Sequence, residues 1–243
     1  MTFLLLFAIV SLFLVPDLKD VWHNLLSEEM RFSLKLSLVT GLVSTLLVMA
    51  FALPIGYALS RFDFPFKSFV KTILDLPVAF PELVLGLCLL LLFGNTLVGE
   101  LFRRLSINLV FTKQGVVAAQ FFTALPYASR ILKSTFDYIS PRLEFVSRSL
   151  GYSQMETFFN VSLPLAKNGI LAATVISFAR CIGTFGTVLI LAGGTYMKTE
   201  VLPMTLYLNI SYGNMGMALT SGIVLTTVSF IAIFIFERTE VDI

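Results

Sequence analysis

The sequence predicts an all-α, polytopic membrane protein of about six transmembrane helices, on three observations. Hydrophobic residues make up 57% of the 243 and charged residues only 13%, with a mean hydropathy of +0.90, beyond the range of soluble globular domains. The apolar residues fall into runs near the ~20 residues that a helix needs to cross a bilayer. Between them lies one polar stretch, Ser140 to Pro164, that reads like a piece of soluble protein placed inside a membrane protein. Six spans with short connections leave no room for a separate soluble domain, so residues 1–243 are read as one transmembrane domain.

The first run, Met1 to Val15, has no Lys or Arg before its core and no small-residue cleavage site, and reads as a retained span rather than a signal peptide. His23 and Trp22 follow it as interfacial residues. The remaining spans are Phe32–Leu59, Ile73–Phe93, Gly115–Leu132, Gly169–Leu191 and Met217–Phe236. Pro77 and Pro81 interrupt the third, freeing backbone carbonyls that need other partners. The fifth contains Gly183-Thr184-Phe185-Gly186-Thr187, where small residues permit close helix packing and the hydroxyls of Thr184 and Thr187 could alternatively line a polar path. Cys88 and Cys181 both sit in apolar runs and read as packed thiols.

The polar insert carries two sets of helix punctuation. Ser140 is a candidate N-cap, Pro141 suits the first helical position, Glu144 lies in the first turn and Gly151 fits a stop, giving a short helix Pro141–Leu150. Ser153 and Glu156 have capping-box spacing, so a second helix begins near Gln154 and ends near Pro164. Met155, Phe158 and Phe159 share one face of it. Two short helices with aromatic residues on one face and Arg142, Arg148 and Lys167 nearby read either as a docking surface for a water-soluble partner or as an ordinary cytoplasmic loop.

Placing the insert in the cytoplasm puts nine Lys and Arg there (Arg61, Lys67, Lys71, Arg130, Lys133, Arg142, Arg148, Lys167, Arg238) against seven opposite. Both termini are then cytoplasmic.

No catalytic or metal-ligating constellation is found. His23 is the only histidine, and G-x-S-x-G, H-E-x-x-H and C-x-x-C are absent. Without a P-loop the chain cannot itself bind and hydrolyse ATP, and without a basic run nothing points to nucleic acid. Two ionisable residues do fall deep within spans, Glu82 and Arg180. The favoured reading is an ion pair that holds two spans in register; the alternative is that Arg180 faces the pathway and attracts an anion.

The insert resembles the E-A-A-x3-G-x9-I-x-L-P loop of ATP-binding-cassette importer permeases. Gly151 and Val161-Ser162-Leu163-Pro164 stand at the matching spacing, whereas the E-A-A positions are Phe145, Val146 and Ser147, with Glu144 one residue earlier. The resemblance runs from about Phe32 to Phe236 and is closest to permeases of molybdate or tungstate importers, with sulfate permeases close behind. It rests on Leu76 to Pro81, Leu109-Val110-Phe111-Thr112, Asp137 to Gly151, Ser177 to Arg180, Leu191 to Gly194, Met197 to Glu200 and Leu202-Pro203. Such permeases often carry G-E-F-G where this chain has Gly183-Thr184-Phe185-Gly186, so Glu82 is read as the relocated acid.

The resemblance implies a type I importer fold in the cell membrane, in which this chain forms the pathway. It implies two permease chains, two ATPase chains that bind the ATP and Mg, and an extracytoplasmic oxyanion-binding protein. Contact with the ATPase would fall to Glu144, Arg148, Ser149, Leu150, Gly151, Tyr152, Ser153, Glu156, Phe159, Leu163 and Pro164. The pathway would involve Glu82, Arg180, Thr184 and Thr187. The rival class, a transporter driven by an ion gradient, predicts inverted repeats that the sequence does not display.

Overall fold

A computed structural model describes residues 2–241, with side chains omitted at positions 2, 5, 6, 8 and 9 and from 235 onward; Arg238 lies outside the described side chains. Its described residues are helical and contain no strand. The long helices are α3 (Glu28–Arg61), α7 (Lys113–Tyr138), α11 (Lys167–Gly183) and α14 (Met215–Val241). Shorter helices fill the connections: α1 (Thr2–Leu14), α2 (Leu18–Leu25), α4 (Lys67–Ala79), α5 (Glu82–Asn95), α6 (Leu97–Arg104), α8 (Pro141–Ser149), α9 (Gln154–Thr157), α10 (Leu163–Leu165), α12 (Gly186–Ala192) and α13 (Leu202–Ser211).

Helix α7 is the centre of the bundle, packed between α3 and α11. Small side chains let the backbones come close: Ala52 of α3 meets Ala124 and Ala128 of α7 in a core that also takes in Ala173 and Cys181 of α11. Gly56 is required at the α3–α7 crossing, since a Cβ there would stand 2.7 Å from that of Leu132. Of the polar groups buried here, Ser44 Oγ donates to Gln120 Oε1 at 2.9 Å, whereas Gln120 Nε2 and Ser129 Oγ have no hydrogen-bond partner among the described residues.

The third and fifth expected spans are not continuous. The third breaks at Phe80–Pro81, where α4 and α5 meet at 116°, because Pro81 supplies no N–H to carry the helix onward. Pro77, by contrast, is accommodated inside α4. The fifth divides into α11 and α12 around Thr184 and Phe185, and α9–α10 joins α11 at a 73° bend. By length and composition, α3 and residues 215–234 of α14 can each cross a membrane, and the two bent pairs can do so if each counts as one span. At ~1.5 Å per residue, the 13-residue α1 reaches only about 20 Å, short of a full crossing.

At the end of the bundle away from the insert, an unanticipated short helix, α13, packs on α14, and the loop before it carries the fully buried Glu200, which accepts the Met197 N–H at 3.0 Å. Both cysteines are free thiols; Cys181 is buried as expected, whereas Cys88 is exposed on the surface of α5.

Candidate functional site: the polar insert and the junction of the broken spans

The insert folds as its punctuation predicts. Helix α8 starts with Pro141 in its first turn and ends at Leu150, after which Gly151 takes φ +97°, a left-handed conformation that only glycine adopts cheaply. Tyr152 N–H closes the turn on Ser147 O at 3.3 Å. Ser140 occupies the N-cap position but makes no side-chain cap bond. The Ser153–Glu156 capping box forms in full: Ser153 N–H donates to Glu156 Oε2 at 2.7 Å and Glu156 N–H to Ser153 Oγ at 3.2 Å. Those hydrogen bonds hold the Glu156 carboxyl below the usual range. After α9 the chain widens into a π-helical turn, Phe158–Ser162, before Pro164 in α10 leads through Ala166 into α11.

Glu144 does not lie on the outer surface of the insert. It points inward, accepting from Arg61 Nε at 2.8 Å, Ser162 Oγ at 2.8 Å and Tyr57 Oη at 3.2 Å. One carboxylate therefore ties α8 to the end of α3 and to the turn before α11. Arg61 extends the strut by donating from Nη2 to Ile139 O at 2.8 Å, and the Tyr57 ring packs edge-on against Phe136 and Phe158. Ser147, standing where an alanine is usual in the resembled loop, is buried and pairs its hydroxyl with that of Thr157 at 3.0 Å. Arg61, Tyr57, Thr157 and Ser162 escaped the sequence reading as site residues, because Tyr57 and Arg61 stand more than 80 positions before Glu144.

With Glu144 turned in, the outer face belongs to Phe145, Val146, Leu150, Tyr152, Met155 and Phe159, all exposed, Leu150 by 75% and Met155 by 67%. An open cavity of about 490 Å³ lies among Phe145, Arg148, Ser149, Tyr152, Ser153 and Gln154. Pro164 is exposed and Leu163 half-buried beside it. A rigid base with a polar hollow beside Arg148, set in a face of exposed apolar side chains, suits docking of another protein chain.

The second cluster sits where the two broken spans meet. Gly86 of α5 and Gly186 of α12 allow the contact: a Cβ on Gly86 would lie 2.9 Å from that of Ile190, and one on Gly186 2.9 Å from that of Glu82. Gly183 faces open space and is not needed for packing. Glu82 Oε2 accepts the N–H groups of Gly186 at 2.9 Å and Phe185 at 3.2 Å, so its carboxylate reaches the turn beside Thr184. Arg180 Nη2 stands 3.8 Å from Glu82 Oε1, which realises the expected pair, although the contact is too long for a hydrogen bond. The same nitrogen donates to Tyr127 Oη at 3.1 Å. Thr184 and Thr187 are buried and spend their hydroxyls on the carbonyls of Arg180 and Glu82, at 2.7 and 3.1 Å, so neither faces a path.

Residues 52–240 match the family model described as binding-protein-dependent transport system inner membrane component. The chain is 37% identical over 186 residues to the molybdate/tungstate transport system permease protein of Methanocaldococcus jannaschii, covering 76% of this chain and 72% of that one. It is 32% identical to the protein of that name from Pyrococcus furiosus, over 97% and 90% of the two chains. To the sulfate transport system permease protein CysT of Escherichia coli it is 28% identical, over 78% and 69%. Among solved structures, it superposes with a TM-score of 0.77 on a bacterial alginate ABC transporter, at 14% identity and over 97% of this chain and 87% of that one. On the MetNI methionine ABC transporter the TM-score is 0.66, at 19% identity and over 88% and 97%. With a matching family model, relatives that are permease subunits rather than enzymes, and the fold of ABC importer permeases, this chain belongs to the family of binding-protein-dependent transport system inner membrane components.

Proposed function

We propose that the chain is the permease of an ATP-driven importer for a tetrahedral oxyanion, molybdate or tungstate first and sulfate second. In this reading two copies line the pathway, two separate ATPase chains bind ATP and Mg, and an extracytoplasmic binding protein selects the anion. The insert and both termini face the cytoplasm. The observation that carries the reading is the insert itself: a hairpin of helices with an exposed apolar face around a hollow, braced from within by Glu144 and joined to α11 through Ala166 alone. A docked partner that moves such a base moves α11 with it, and with it the junction of the broken spans. Relatives named for molybdate/tungstate and for sulfate support the substrate class.

The test is reconstitution of the chain in liposomes with its ATPase and binding protein, followed by uptake of labelled molybdate, tungstate and sulfate. ATP-dependent uptake of molybdate or tungstate is expected, and none without the ATPase. Uptake driven by an ion gradient in the chain alone would overturn the reading in favour of a secondary transporter.

A further inference from the structure

Arg180 lies about 20 Å along α11 from Lys167, at ~1.5 Å per residue, yet its side chain is 40% exposed. An arginine turned to hydrocarbon is costly, so that open face belongs to a polar path or to a seam with another copy. Its hydrogen-bonding capacity is unspent. Among the described residues, only Nη2 of the five guanidinium donors makes a bond, to Tyr127 Oη, and Nε is buried without a partner. Tyr127 lies beneath it, ring centroid 4.5 Å from Cζ, and because its oxygen accepts from Arg180, its own O–H proton remains to be donated. Glu82 is held differently. Two backbone N–H groups fasten its Oε2, leaving Oε1 at 3.8 Å from the guanidinium.

We propose that Arg180 and Tyr127 form a transient anion subsite midway through the permease, and that Glu82 weakens it so that the anion leaves. The guanidinium edge takes two oxygens of a tetrahedral dianion and the Tyr127 O–H a third. Removed from bulk water, such a bidentate contact alone would trap a dianion, because charge-assisted bonds strengthen as the dielectric falls. The backbone-fastened Glu82 cannot swing away and repels a dianion twice as strongly as a monoanion. Attraction and repulsion are thereby built into one junction, which gives weak binding and fast exit. The hydroxyls of Thr184 and Thr187 are already spent on carbonyls and add no ligand.

This inference rests on the oxyanion reading, and the experiment separates the two. The complete wild-type importer is first assayed for uptake of molybdate, tungstate and sulfate; uptake of none of them overturns the oxyanion reading and the subsite with it. With uptake established, labelled molybdate is bound at equilibrium to the purified permease–ATPase complex without binding protein. Glu82→Gln keeps an oxygen to accept the Phe185 and Gly186 N–H groups while removing the charge. It is expected to raise retained molybdate at least tenfold and to slow maximal uptake severalfold. Arg180→Gln added to Glu82→Gln should abolish that retention. The milder Tyr127→Phe, which keeps the ring under Arg180, should lower it severalfold. Equal retention by wild type and Glu82→Gln, or retention that survives loss of Arg180, overturns the subsite while leaving the importer reading intact. Co-purification of the ATPase confirms that each variant is folded.

Discussion

Two carboxylates organise this permease, and they are satisfied in opposite ways. Glu144 in the insert accepts from three side chains, and its ion pair with Arg61 is closed at 2.8 Å with both groups largely shielded from solvent. Glu82 at the junction of the broken spans is fixed by two backbone N–H groups, while its cation stands off at 3.8 Å with unspent donors. A fully satisfied buried network has one good geometry and transmits force as a rigid body. A stretched pair keeps capacity for a passing ligand. The insert is thus held stiffly, whereas the junction of the broken spans keeps donors unspent.

The largest effect that would break this comparison is expected at Glu144. Glu144→Ala leaves Arg61 buried without its counter-ion, which should cost ~3–5 kcal/mol, read as a lowered melting temperature of the detergent-solubilised permease and loss of ATPase co-purification. The double variant Glu144→Leu/Arg61→Met should recover much of the stability without restoring coupled uptake, because packing replaces the charges but not the strut from α3 to Ser162. Full recovery of uptake by the double variant would show that the strut is only structural. An intermediate effect is expected where the broken spans cross. Gly186→Ala places a Cβ 2.9 Å from that of Glu82 and should destabilise by ~1–3 kcal/mol, whereas Gly183→Ala meets nothing within 4 Å and should change stability by less than ~1 kcal/mol. Thermal unfolding of the two variants side by side decides whether the junction depends on backbone contact at Gly186.

The smallest effect concerns pH at the insert surface. The Ser153 backbone N–H holds the fully exposed Glu156 carboxyl below its ordinary value. A carboxyl with a depressed folded value contributes stability above its unfolded value and loses it as the pH falls through the folded one. Hydrogen exchange at the start of α9 should therefore differ between wild type and Glu156→Gln at neutral pH, and the difference should vanish below the carboxylate range. A gap that persists in acid would show that the carboxylate charge is not what holds the cap.

Much of the insert was legible because its signals are local. Pro141 at a first helical turn, the left-handed Gly151 and the Ser153–Glu156 box each act over only a few residues of chain and need no tertiary partner. The Glu82–Arg180 pairing was also readable, since two opposite charges at bilayer depth must find company. The inward turn of Glu144 was not. Its partners Tyr57 and Arg61 come from α3, and no spacing rule connects a residue to one more than 80 positions away. Similar limits hid the use of Thr184 and Thr187, which looked like path-lining hydroxyls until the carbonyls of Arg180 and Glu82 were seen to claim them.

By itself the sequence determined that this is a helical membrane protein with a two-helix polar insert, where that insert starts and stops, and that two opposite charges fall within apolar runs. These follow from hydropathy over span-length windows and from backbone chemistry a few residues long, which act before any long-range contact forms. Only the tertiary structure decided that α5 and α12 meet through Gly86 and Gly186, that Glu144 braces rather than displays, and that Arg180 keeps donors to spare. Those outcomes depend on which helix faces oppose one another, a choice made by packing across the whole bundle.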